Sequence, residues 1–179
     1  MHIKIPWSIG LLAQAACSYG KLEPNYTSPS GVQIFNPSTF FNTTGPWSLM
    51  SIAGDTLYIS GRVVILGSNC FLLTCRPGMR GIYPSNSTLA PVGLTRVRQA
   101  YQNMAALAEM AGSDVNSCVR LVVYVTDMFR YRPMCNQAQV EIWGDDPSRY
   151  PPRTIVEVGR LNDDDIVEVE GTFYLGRSA

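Results

Sequence analysis

Two short apolar runs, SLMSIA and TLYISGRVVIL, meet at Ala53-Gly54-Asp55 and predict a β-hairpin within residues 48–66. From Gly67 to Gly93, glycine, proline, serine and asparagine are scattered and no period survives. A connection that long in a small domain is either functional or an insertion. Apolar residues then recur at Val97, Tyr101, Met104, Ala108 and Ala111, which gives one face of a helix, with Thr95 as a cap and Gly112 as its stop. CVRLVVYVTD, residues 118–127, predicts a strand rich in β-branched side chains. RPMCNQAQVEIWG, residues 132–144, predicts a shorter helix with Pro133 in its first turn. Two alternating runs close the chain, RTIVEVGRL and IVEVEG, joined through Asn162-Asp163-Asp164-Asp165, the second read as the return strand of the first.

The order is β-β, loop, α-β, α-β-β. Two helices cannot cover both faces of a sheet this size, so an α+β layer with both helices on one face follows. The other sheet face then needs a partner, and self-association supplies one. Residues from Lys21 to Gly45 are rich in proline, serine, asparagine and threonine and read as loop. The expected divisions are a leader at 1–16, an extension at 17–43 and one domain at 44–179.

Composition narrows the chemistry. Lys+Arg and Asp+Glu both number 14, so no basic stripe invites a nucleic-acid backbone. The single histidine is His2, which removes triads with an internal imidazole and histidine-based zinc sites. Five cysteines leave at least one thiol unpaired; Cys70 and Cys75 can close a small loop, and Cys118 reads as a buried small hydrophobe.

Lys4, the apolar stretch from Ile5 to Leu12 and Ala13-Gln14-Ala15 resemble a secretory signal peptide, too short for a membrane span. Three N-x-S/T triplets, at Asn25, Asn42 and Asn86, are glycosylation acceptors if the chain is exported. A secreted or lumenal protein is therefore expected, with a cytoplasmic one as the alternative.

Arg153 follows Pro151 and Pro152, which fix where its strand begins. An arginine there either clamps a carboxylate or is a solvated strand end, and the residue alone does not decide between them. Glu168 and Glu170 share one strand face, and Asn136 is either an amide donor to a ligand or an exposed helix position.

The ordered set of motifs resembles the Rid family (YjgF, reactive intermediate deaminases) over most of residues 44–174. TGPWS at 44–48 is similar to that family's IGPYS, and LYISG at 57–61 to its SGQ strand end. RQAYQNMAALAEMAG matches the first helix, including Gln99 and Asn103, and VVYVTDM the strand and turn after it. PPRTIVEVGRL and IVEVEG match the signature PAR…VEVARL…IEIEA. The resemblance implies a chorismate-mutase-like fold, a trimer with a central barrel, and ligand sites in clefts between subunits. It assigns the substrate carboxylate to Arg153 and handling of water to Glu168. Trp47, Ser60, Gly61, Asn136 and the backbone of Thr154 and Ile155 would line the site. The implied reaction is hydrolysis of 2-imino acids to 2-oxo acids and ammonia, with no cofactor, metal, nucleic acid or membrane.

Trp47 in place of tyrosine, Arg62 in place of glutamine and the long 67–93 connection depart from the family pattern. They leave open a specialised cyclase or isomerase acting on a carboxylate-bearing intermediate, or a non-catalytic trimeric binding module.

Overall fold

The computed structural model describes residues 22–43, 45–60 and 78–176. The leader, Gly61, Arg62, Cys17, Cys70 and Cys75 lie outside the described residues, as does most of the second strand expected in the first hairpin. The strands are β1 (Tyr26–Thr27), β2 (Gln33–Phe35), β3 (Met50–Ala53), β4 (Thr56–Ile59), β5 (Cys118–Val125), β6 (Arg153–Glu157) and β7 (Val167–Tyr174). They form one mixed sheet in the order β1-β2-β3-β4-β7-β5-β6, in which only β5 and β6 are parallel. Gly54 takes a φ of 57° in the β3–β4 turn, the left-handed backbone that glycine adopts without penalty.

Helix α1 (Leu94–Met110) follows the expected stripe, with Val97, Tyr101, Met104 and Ala108 fully buried. Its buried face meets Val167, Val169 and Phe173 of β7 and Leu57 and Ile59 of β4, all within one core. Helix α2 (Met128–Trp143) packs beside it over β5 and β6. Both helices thus lie on one face of the sheet. Gly171 has no room for a side chain, because a methyl there would collide with the Phe173 ring and with Met104 Sδ of α1. Gly171→Ala is expected to destabilise the fold by about 1–3 kcal/mol, the usual cost of overpacking, read as a lower urea midpoint at unchanged m.

Three expectations are corrected. Residues 26–27 and 33–35, read as loop, pair as a ribbon that extends the sheet beyond β3. Helix α2 begins four residues before the expected start, because the Asp127 carboxylate caps Arg130 N–H at 2.9 Å. Glu157 Oε2 takes the Met128 N–H at 2.7 Å, so Pro133 lies inside the helix rather than opening it. Finally, β7 is not hairpinned to β6, since β5 lies between them. The 162–165 turn passes over the end of β5, with Asp163 and Asp164 in left-handed conformations that short polar side chains tolerate.

Buried charge secures that turn. Asp165, with no exposed side chain, accepts from Arg80 Nε at 2.7 Å and Arg96 Nη1 at 3.2 Å. It also accepts from the Ile166 N–H at 2.8 Å. Asp165→Ala strands two buried guanidinium groups, and the expected loss is on the order of 3–5 kcal/mol, measurable by chemical denaturation.

A composite candidate site on two faces of the sheet

Arg153 opens β6 opposite Leu121, whose other neighbour is Gly171. Those positions face the helices, so the Arg153 side chain runs beneath α2. Its Nη2 donates to Asn136 Oδ1 at 2.7 Å and its Nη1 to Gln139 Oε1 at 2.9 Å. Two amides from adjacent turns of α2 thereby aim a planar group that has five N–H donors. Tyr101 and Cys135 complete the surroundings. Burial pushes the Cys135 thiol up to about 12, with Arg153 pulling the other way. Burial likewise raises the Tyr101 phenol above its usual range, and its hydroxyl has no hydrogen-bond partner among the described residues. Neither group ionises at neutral pH, so Arg153 carries the positive charge of this half of the site.

Glu168 sits elsewhere. It pairs with Tyr124, three residues beyond Leu121 on β5, and an odd step along a strand changes face. Within one protomer Arg153 and Glu168 therefore lie on opposite faces of the sheet. Glu168 is 1% exposed, and its Oε2 accepts the Gly78 N–H at 3.1 Å. Burial pushes its carboxyl up to about 8; the Gly78 N–H and Arg80 oppose the rise, while Asp165 and Glu170 add to it. At neutral pH this is mostly a carboxylic acid that can lose its proton within the working range.

The other anticipated residues divide between the two halves. Asn136 lies with Arg153. Ser60 directly follows β4, its N–H bonded to the Leu49 carbonyl at 2.9 Å, and the continued register sets it beside Glu170. Trp47 leads into Leu49, partly buried against the core, with an indole N–H lacking a partner among the described residues. Because Pro152 O and Val158 N both bond β5, alternation turns the Thr154 backbone toward β5 and the Ile155 backbone toward the free edge of β6. The Glu170 carboxyl is also raised by burial, with Arg120 and Tyr124 opposing the rise.

Sequence reasoning missed Gln139, Tyr101 and Gly78. Gln139 follows Asn136 by one helical turn, a spacing that signals a shared face; Gly78 carried no sequence signal. Among the described residues no cluster of three or more His, Cys, Asp or Glu side chains is placed to hold a metal.

Residues 38–174 match the family described as Endoribonuclease L-PSP. The chain belongs to this family, the YjgF/RidA family. Among its relatives, a RutC family protein of Pyrococcus horikoshii is 28% identical over 73% of this chain and 87% of its own. The 2-iminobutanoate/2-iminopropanoate deaminase of Salmonella typhimurium is 28% identical over 63% of this chain and 83% of its own. The structure of Escherichia coli TdcF with bound serine superposes with a TM-score of 0.65, covering 82% of this chain and 99% of TdcF at 20% identity, a likeness of fold.

These YjgF/RidA relatives, bacterial cytosolic RidA and TdcF proteins, correct the expectation of a secreted or lumenal protein. Two of the three acceptor asparagines make local hydrogen bonds. Asn25 accepts from the Asn36 N–H, and Asn86 Oδ1 takes both the N–H and the hydroxyl of Thr88, closing a turn.

Proposed function

We propose that the protein hydrolyses 2-imino acids to 2-oxo acids and ammonia at clefts between the subunits of a homotrimer. The observation that carries this reading is the split of the two key groups. A carboxylate anchor and a proton-exchanging acid stand on opposite faces of one sheet, so neither half makes a site alone. A neighbouring protomer that covers the helix-free face brings its own Arg153 edge to this Glu168. Tyr58, Val156 and Tyr174, exposed on that face, are the apolar contacts such packing would bury. The deaminase name of the Salmonella relative supports the reaction class.

In the proposed mechanism Arg153 holds the substrate carboxylate by two parallel hydrogen bonds, oriented from behind by Asn136 and Gln139. Neutral Glu168 protonates the imine nitrogen. The resulting Glu168 carboxylate takes a proton from water as its oxygen bonds to C2, giving a carbinolamine. Glu168 then protonates the amino nitrogen, the C–N bond breaks, and ammonia leaves. The hydroxyl proton returns to Glu168 as the 2-oxo acid forms. One water is consumed and the acid is restored.

The test is ammonia release from freshly generated 2-iminobutanoate. Release faster than the spontaneous rate is expected, with activity falling as pH rises past about 8, where Glu168 loses its proton. Binding of a small carboxylate without any acceleration would instead assign a non-catalytic role.

A further inference from the structure

The β4–β7 ladder runs Thr56–Tyr174, Leu57–Phe173, Tyr58–Thr172 and Ile59–Gly171, so each pair of partners sums to the same number. Continued, that register gives Glu170 to residue 60 and Val169 to residue 61. Ser60 keeps its place, as its bond to Leu49 on the β3 side attests. Yet the rung at Val169 belongs to Met79: Met79 N–H bonds Val169 O at 3.1 Å, and Val169 N–H bonds Met79 O at 3.2 Å. Met79 thus occupies the next rung after Ser60, with Gly78 as one extra residue between them. One extra residue in one strand is a β-bulge, a feature common beside active sites.

The segment after the bulge is fixed by its own contacts. Asn103 Nδ2 donates to the carbonyls of Arg80 and Ile82 at 2.8 and 2.7 Å, with Gln99 steadying its Oδ1. Arg80 is tied to Asp165, and a side chain on Gly81 would strike the Arg96 carbonyl. Every one of these anchors lies outside residues 61–77.

We infer that residues 61–77 are an insert within a single strand that runs through Ser60 and resumes at Gly78, and that Gly78, not Gly61, is the site glycine, positioning Glu168 through its N–H. The role of Glu168 rests on the function proposed above; the strand continuity does not. An insert whose flanking residues, Ser60 and Met79, hold neighbouring rungs adds mainly loop-closure entropy, which grows slowly with length. Excising it regenerates the Ser-Gly pair with Gly78 in place of Gly61.

Two deletions in the full chain test this. Deletion of 61–77 joins Ser60 to Gly78; deletion of 61–78 joins Ser60 to Met79 in the unbulged register and removes the donor. Both are expected to unfold cooperatively with unchanged helix and strand content, the first within about 4 °C of the full chain. Glu168 is then titrated by carboxyl carbon NMR. Its midpoint should stay where the full chain has it in the first deletion. It should rise in the second, because a lost donor to the carboxylate favours the acid form. Failure of either deletion to fold overturns the strand continuity, and equal midpoints in the two overturn the positioning role of Gly78. Absence of imine hydrolysis from all three proteins would count against the proposed reaction while leaving both readouts decisive.

Discussion

Arg153→Lys is expected to lose nearly as much turnover as Arg153→Ala. A lysine supplies the charge but not the planar fork, and here the fork has two duties. It meets Asn136 and Gln139 on one side and, in the proposed mechanism, presents parallel N–H groups to the substrate carboxylate on the other. Losing a charge-assisted contact buried in the proposed inter-subunit cleft costs about 2–5 kcal/mol, or roughly 30- to 4,000-fold in kcat/KM. Asn136→Ala and Gln139→Ala leave the guanidinium in place but unsteered, so a smaller loss from each separates orientation from charge. Steady-state kinetics on 2-iminobutanoate, with a non-hydrolysable carboxylate as a binding control, measures all four variants.

Glu168→Gln should fail in a different parameter. The amide preserves shape and can still accept the Gly78 N–H, yet it cannot shuttle a proton, so kcat should fall about 10²- to 10⁴-fold while affinity changes little. Glu170→Gln is the comparison, on the same strand face but without the same enclosure, and should be mild.

Stability gives an independent reading of Glu168. Its carboxyl stays protonated in the folded chain up to about 8, whereas in the unfolded chain it ionises near the ordinary value of about 4.3. Between those limits the folded state binds more protons, so stability falls as pH rises and is level below and above. The span is on the order of 3–5 kcal/mol. Glu168→Gln should flatten that slope between pH 5 and 8, seen as a urea midpoint that no longer drifts with pH.

The alternation in IVEVEG was enough to place Glu168 and Glu170 on one face, but it carried no information about which strand lies beside them. β5 separates β6 from β7 because the sheet is assembled from residues far apart in the chain, and a period of two is indifferent to neighbours. The enclosure of Glu168 was equally hidden, since the N–H it accepts comes from Gly78, ninety residues earlier. Helix α1 was legible because its stripe is long and unbroken. The start of α2 was not, because the exposed Phe129 and the internal Pro133 disguise the turn that Asp127 caps. The β1–β2 ribbon escaped notice because strands of two and three residues at a sheet edge are too short to set a pattern.

The measurement that bears most directly on the composite site is complementation between two crippled proteins. Arg153→Ala and Glu168→Gln protomers, each nearly inactive alone, are unfolded together, refolded in equal amounts and assayed for ammonia release. In the proposed trimer, with protomers mixed at random, each cleft would draw its arginine from one protomer and its glutamate from the next, so about a quarter of the clefts would regain both native groups. Recovery of about that fraction of wild-type activity is the expected result. If the mixture stays as inactive as its components while mass measurements show mixed trimers, Arg153 and Glu168 do not meet across a subunit boundary, and the composite site is contradicted.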